Sequence, residues 1–329
     1  MRLASFQAQG RDLIGFPLPN GNLVDLQLAL RAAFPGDSAP ADMLELIRGG
    51  VGVQGRIRAV WEAACRSPDA LPSFDPATVV WHPPVRTPSK IVCLALNNRA
   101  LDAIKIRAPT DHPAFFLKPS TALTGHLQPI RLRAAYGLTH PEPELGVVIG
   151  SQLKDAAPES TLAAVFGYTI VNDVTSVGMR EEDSFSVRYF RPGPTPGEVM
   201  VGEGHTTYPG RYKASDTFAP MGPWLVTADE VPDSAGLNIQ CRMDSKLVAS
   251  DHTRNYVWGV ALALAHISRT MTLLPGDIVS MGTAVGGDTD DATAPQVPGV
   301  TRANLVGLQG NVVVDIDALG TLSNYVQMI

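Results

Sequence analysis

The stretch HPEPELGVVIG, from His140 to Gly150, decides how the fold is read. Its second half is an apolar run of strand length. Side chains alternate faces along a strand, so Glu142 and Glu144 point one way while Leu145, Val147 and Ile149 point the other. A second apolar run, GYTIVND, ends on Asp173. Further strands are predicted over residues 91–95, 114–118, 224–226, 237–243, 277–281 and 311–316. Helices are predicted over residues 158–165 and 255–271, the second from apolar residues at helical spacing. The 30 Gly and 27 Pro fall between short apolar runs, as expected of a strand-rich fold with many turns. The reading is a mixed, β-rich α+β protein.

Upstream, two short strands (residues 3–7 and 13–18) precede helical patterns near 25–34, 42–49 and 53–65. A Pro-rich connection over residues 67–88 follows, which predicts a small N-terminal domain over 1–85 and a larger domain over 86–329. Between residues 183 and 215 lies a stretch rich in Pro, Gly, Tyr and Arg, longer than most loops in compact domains.

Composition narrows the function. The 329 residues are 45% hydrophobic and 18% charged, which suits a packed core and argues against wholesale disorder. Net charge is −6 and Lys and Arg do not cluster, so neither nucleic acid nor an anionic membrane surface is expected as the main partner. Cys65, Cys93 and Cys241 are odd in number and far apart, which predicts a reducing cytoplasm and no disulfide framework. The N-terminus meets polar residues too soon for a signal peptide. The most apolar run, residues 257–267, is too short to span a bilayer.

Two carboxylates on one strand face repel each other unless a cation neutralises them. With Asp173 as a third oxygen donor, Glu142 and Glu144 would suit a hard ion such as Mg²⁺, Mn²⁺ or Ca²⁺ better than Zn²⁺. On spacing alone, a solvated strand edge is the preferred reading, because Glu-x-Glu is common. Lys118 and Lys213 read in isolation as surface residues. Gly282 and Thr283 read as a turn whose amides and hydroxyl are able to hold a carboxylate. There is no phosphate-binding Gly-x-x-x-x-Gly-Lys-Ser/Thr loop and no Gly-x-Ser-x-Gly elbow, and the seven His show no metal-ligand spacing.

In order, the chain carries KIVCLALNNR, FFLKPSTALTG, PEPELGVVIG, GYTIVNDVTS, KASDTFAPMGPWLVTADEVP, SRTMTLLPGDIVSMGTA and ALGTLSN. This series resembles the fumarylacetoacetate hydrolase family through nearly the whole chain, the small N-terminal domain included. The resemblance implies a β-sandwich roll, a homodimer and a small-molecule keto-acid or diketone substrate. It implies Glu142, Glu144 and Asp173 as metal ligands, with Mg²⁺ (or Mn²⁺ or Ca²⁺) bound, and Lys213 close to metal and substrate. It also places Gly282 and Thr283, with Arg180, Asn97, Phe116 and Lys118, among the candidate substrate contacts. Family hydrolases polarise a carbonyl with the metal and activate water with a lid His paired to a Glu.

That lid is where this chain departs from the pattern. Leu101 stands where the His is expected and Ile104 where the Glu is expected; Asn98 replaces a customary Tyr and Val177 a frequent Arg. Three readings stay open. One is a hydrolase of C–C bonds next to a carbonyl, with Asp102, His112 or His205 as replacement base. Another is decarboxylation, tautomerisation or dehydration through a stabilised enolate, and the last is ligand binding without catalysis. The insertion over residues 183–212, with its Arg, Tyr and His residues, reads either as a cover for the site or as a solvated hairpin or dimer contact.

Overall fold

In a computed structural model of the chain, residues 1–105, 108–285 and 303–329 are described, the side chains of residues 103 and 104 excepted. The N-terminal segment forms β1 (Arg2–Ala8), β2 (Arg11–Pro17), β3 (Leu23–Asp25), α1 (Leu26–Ala33), α2 (Met43–Arg48), α3 (Gly50–Arg66), β4 (Ser73–Phe74) and β5 (Val80–His82). The first two helices begin where an Asp is available as cap. Asp25 accepts from the Leu28 amide at 3.1 Å and Asp42 from the Glu45 amide at 2.8 Å, satisfying donors that a helix start leaves free.

The chain continues through β6 (Ile91–Ala95), β7 (Ala114–Lys118), β8 (Leu123–Thr124), β9 (Ile130–Leu132) and β10 (Thr139–His140) to β11 (Pro143–Ile149). Then come α4 (Pro158–Thr161), β12 (Val165–Asn172), β13 (Thr175–Ser176), α5 (Val177–Glu182), β14 (Ser184–Pro192), β15 (Val199–Thr207) and α6 (Arg211–Ala214). The remainder comprises β16 (Ala219–Pro220), β17 (Leu225–Thr227), β18 (Asn238–Met243), β19 (Lys246–His252), α7 (Val260–Thr270), β20 (Ile278–Ser280), β21 (Asn311–Ile316) and β22 (Gly320–Met328).

Among the described residues, an eleven-stranded sheet runs β4-β3-β2-β1-β17-β12-β11-β20-β6-β7, with β5 paired to β1. A five-stranded sheet, β19-β18-β21-β22-β9, packs against it. The main core fills the space between them: Val92, Leu145, Val147 and Ile170 face Ile239, Val312, Val314 and Leu322, with Leu264 of α7 alongside. A second core joins Leu3, Phe16 and Leu46 to Val148, Phe166 and Ile278. The proposed division near residue 85 therefore falls between β5 and β6, and β1 continues the sheet across it through Leu3 opposite Leu225. No helix among the described residues is long and apolar enough to cross a membrane.

One segment differs from expectation. The helix predicted over residues 255–271 starts only at Val260, because residues before it are held elsewhere. Asn255 donates to Asp251 at 2.6 Å, and Tyr256 bridges to Asn98. The long stretch after residue 183, for which a hairpin is one of the readings, is an antiparallel ribbon in which β14 and β15 pair from Ser184↔Thr207 to Pro192↔Val199. Its cue was present in the two-residue spacing of Phe185, Val187 and Tyr189.

Candidate metal centre

Strands β11 and β12 run antiparallel, with Pro143 opposite Asn172 and Glu144 opposite Val171. This register brings the acidic ends of two distant apolar runs together. Asn172 fixes the approach, its Oδ1 accepting from the Glu142 amide at 2.9 Å, while the Asp173 amide donates to the Glu142 carbonyl at 2.8 Å. Glu142, Glu144 and Asp173 each present a carboxylate oxygen within 4.8 Å of the others. Glu144 and Asp173 are buried, and Glu142 is half-buried at the mouth.

Two lysines answer this charge, and neither is the surface residue its local sequence suggests. Lys118, at the end of β7, is fully enclosed and ion-paired to Asp173 Oδ1. Lys213 on α6 reaches Glu142 Oε2 at 2.7 Å and Asp173 Oδ2 at 2.5 Å, with its ammonium 4.9 Å from the centre of the Phe116 ring. Glu144 has no lysine of its own. Its Oε2 accepts from the Ser280 hydroxyl at 2.5 Å and the Gly282 amide at 2.9 Å.

The electrostatics follow from that unequal sharing. Burial lifts the Glu144 carboxyl to about 8, and the neighbouring Asp173 and Glu142 charges push the same way. Burial alone would raise Asp173 too, but the ammonium groups of Lys118 and Lys213 outweigh it and hold the acid below its ordinary range. Burial would likewise lower Lys213, yet Asp173, Glu142 and Glu144 hold it charged, well above its ordinary value. Three carboxylates against two ammonium groups leave one negative charge unmatched, and Glu144 keeps a proton in its place. An all-oxygen donor set with this deficit fits a hard divalent ion, which these three residues could hold.

Between the ordinary value of 4.5 for Glu144 and about 8, the folded ion-free chain carries a proton that the unfolded chain has released. Stability of the ion-free protein from this group therefore falls as pH rises through that window. An incoming ion must displace the proton, so Mn²⁺ affinity should climb by up to about tenfold per pH unit and level off above about 8. Calorimetry in two buffers of different ionisation enthalpy measures the released proton directly; affinity independent of pH from 6 to 8 would refute the assignment.

Above the cluster opens a cavity of about 520 Å³. Glu142, Glu144, Lys213, Phe116, Arg180, Thr283 and His205 line it, so the fold gathers seven of the candidate residues around one space. Asp173 and Lys118 sit beneath it through their ion pair. Leu101 and Thr207 complete parts of the wall.

Other expected residues do not reach this space. Asp102 is exposed and pairs with Lys105 at 2.7 Å. His112 is exposed, bonds Asp111 at 2.7 Å and stacks on His266 with ring centres 5.1 Å apart. Asn97 is buried behind the wall, where its side chain donates to the carbonyls of Met281 at 2.7 Å and Trp258 at 3.0 Å and accepts from the Trp258 amide. All three lack access to a ligand here because their polar atoms are turned to solvent or to the backbone. The Gly282 amide expected to meet a substrate carboxylate instead holds Glu144. Gly282 has φ +102°, and a Cβ there would lie 2.9 Å from Cβ of Asn97, so the turn requires glycine. Ile104, expected at the lid, has a side chain outside the described set. Sequence reasoning missed Ser280, which lies within the SRTMTLLPGDIVSMGTA motif but meets Glu144 only because β20 pairs with β11.

Residues 90–327 match the family model of the fumarylacetoacetate hydrolase C-terminal domain. The chain belongs to the fumarylacetoacetate hydrolase family. It is 27% identical over 333 residues to the oxaloacetate tautomerase YisK of Bacillus subtilis (strain 168), covering 99% of this chain and 100% of that protein. It is 29% identical over 331 residues to the mitochondrial oxaloacetate tautomerase fahd2 of Xenopus laevis, covering 98% of this chain and 89% of that protein. Among solved structures it is similar to maleylpyruvate hydrolase from Sphingobium sp. SYK-6 in complex with manganese(II) ion and pyruvate. The TM-score is 0.69 and the identity 28%, across 100% of this chain and 99% of that one. The enzymes of this family named here thus include both tautomerases and a hydrolase acting on keto acids.

Proposed function

We propose that this protein is a divalent-metal-dependent enzyme that moves a proton on a small 2-keto acid, interconverting the keto and enol forms of oxaloacetate or a close analogue. The observation that carries this reading is Leu101. It lines the cavity at the position where the resemblance expects a water-activating His, and it is 4% exposed. An apolar side chain at that position puts no base where water would be activated and keeps the neighbouring carbonyl in apolar surroundings, which favours a reaction that consumes no water. The full-length similarity to two oxaloacetate tautomerases supports the same choice.

Glu142, Glu144 and Asp173 are the proposed ligands, and an ion held there would supply a Lewis acid for a keto oxygen and its neighbouring carboxylate. The rest of the work falls to side chains. Lys213, kept charged by Asp173 and Glu142, adds positive potential beside the oxygen on which negative charge develops. Arg180, which lines the cavity and whose guanidinium makes no ion pair among the described residues, is the proposed partner of a second carboxylate. His205 supplies an imidazole on the described lining and is the proposed group that accepts and returns the proton at the carbon between the two carbonyls. Phe116 and Leu101 keep that carbon in apolar surroundings.

The test compares two substrates, oxaloacetate and an acylpyruvate, with Mn²⁺ present. Faster decay of the enol absorbance of oxaloacetate, without CO₂ release, is the expected result; CO₂ would indicate decarboxylation, and acid release from an acylpyruvate would indicate hydrolysis. His205→Ala should lower the tautomerisation kcat by about 10²–10⁴-fold with Mn²⁺ affinity unchanged. An unaltered kcat would remove His205 from the mechanism.

A further inference from the structure

We infer that Asp251 is a positioning residue: through the side chain of Asn98 it sets the turn that carries Leu101 and the segment that carries Thr283 against the cavity. Asp251 stands near the end of β19 and is half-buried. It is not among the described residues that line the cavity, so its effect on a ligand passes through others. The inference rests on the proposed function only in taking this cavity as the place of reaction.

Both oxygens of the carboxylate are occupied. Oδ2 accepts from the Asn98 side-chain amide at 2.7 Å and from the Val285 backbone amide at 2.8 Å. Oδ1 accepts from the Asn255 side chain at 2.6 Å and from the His252 amide at 2.7 Å. Asn98 is 1% exposed, and a buried amide group has to place every polar atom it carries. One hydrogen of its Nδ2 goes to Asp251, and the other to the Thr283 carbonyl at 3.2 Å. Its Oδ1 accepts from the Ala100 amide at 2.9 Å and so caps the turn over Arg99–Ile104, on which Leu101 sits. Turned over, the amide group would set Oδ1 against the Asp251 carboxylate and the Thr283 carbonyl. Asp251 therefore decides which way Asn98 points.

That orientation matters because the turn has few other polar ties. From Arg99 to His112, among the described residues, every hydrogen bond stays between residues 98 and 112. The second wall is reached by the same carboxylate. With Asn98 on the Thr283 carbonyl and Asp251 on the Val285 amide, residues 283–285 are held at both ends. Leu101 and Thr283 both line the cavity. One acidic side chain behind the wall thus sets two parts of it together, and a shift of about 1 Å in such groups costs up to about 100-fold in rate.

Hydrogen exchange tests this without substrate. In Asp251→Ala the amides of Ala100 and Leu101 should exchange faster by on the order of tenfold, while those of β11 and β12 exchange as in the parent. Asn98→Ala should do the same, and the double variant should match Asn98→Ala, because both changes break one link. With oxaloacetate and Mn²⁺, Asp251→Ala should lower kcat by about 10–100-fold at unchanged Mn²⁺ affinity, since the three carboxylates keep their own partners. Parental exchange at Ala100 in Asp251→Ala, or effects of the two changes that simply add, would overturn the inference. Faster exchange with kcat unaltered would overturn it too. Should Asp251→Ala fail to fold, Asn98→Ala breaks the same link from the other side, and parental exchange at Leu101 in that variant would be decisive against it. A parent that leaves oxaloacetate unchanged counts against the proposed reaction, and the exchange pattern still decides the role of Asp251.

Discussion

Replacing Glu144 with glutamine should lower Mn²⁺ affinity by at least about 100-fold and turnover by on the order of 10³-fold, while the fold survives. Glu144 is 1% exposed, and its Oε2 takes hydrogen bonds from Ser280 and Gly282. Glutamine keeps the shape and an oxygen acceptor for those donors, so no buried donor is orphaned. What it removes is the negative charge, which burial already disfavours so strongly that the carboxyl is pushed up to about 8. Without an ion, the variant should therefore be as stable as the parent or more so near neutral pH, since a repelled buried acid has been neutralised. With an ion, it lacks one of three anionic oxygens. The combination is diagnostic: melting temperature held or raised, Mn²⁺ affinity lost. Undiminished affinity, measured by calorimetry, would show that the ion lies elsewhere.

Lys118→Met is expected to be the most destabilising single change near the site, by about 3–5 kcal/mol in the ion-free protein. Lys118 and Asp173 are both enclosed, with side chains 0% and 1% exposed. Methionine fills the same volume, so the cost lies in leaving a buried carboxylate short of a cation and not in a cavity. Lys213 remains within 2.5 Å of Asp173 but is shared with Glu142. Bound Mn²⁺ would supply the missing positive charge, and at a hundred times its dissociation constant it should return about 2.7 kcal/mol. Denaturant unfolding with and without Mn²⁺ measures both values. A loss under about 1 kcal/mol, or no recovery with the ion, would contradict the view that the lysines and the ion answer the same charge deficit.

Much of the scaffold was legible from local pattern. The strand predicted over residues 311–316 is β21 as found, and β11 and β12 lie within a residue or two of their predicted ends. Asp25 and Asp42 marked helix starts that the structure confirms through their caps. The candidate site was less so. Lys118 lies 55 residues from its partner Asp173, and Ser280 lies 136 residues from Glu144. No periodicity in either segment predicts those meetings. Asp102 and His112 looked available because a missing His invites a nearby substitute, but both turn to solvent.

Alternation, chain punctuation and an ordered set of motifs were thus enough to determine the β-rich fold class, its family and the gathering of Glu142, Glu144 and Asp173 as candidates. Each of these is written in residues close to one another, where side-chain periodicity and turn chemistry act. The tertiary structure alone decided that two lysines are buried under those carboxylates, that Glu144 is the one left without a cation, and that an apolar ribbon brings His205 to the cavity. The physical reason is that charge balance and burial depend on strands brought together from distant parts of the chain. In the low-dielectric space they enclose, a pairing made at 2.5–2.9 Å determines which acid keeps its proton.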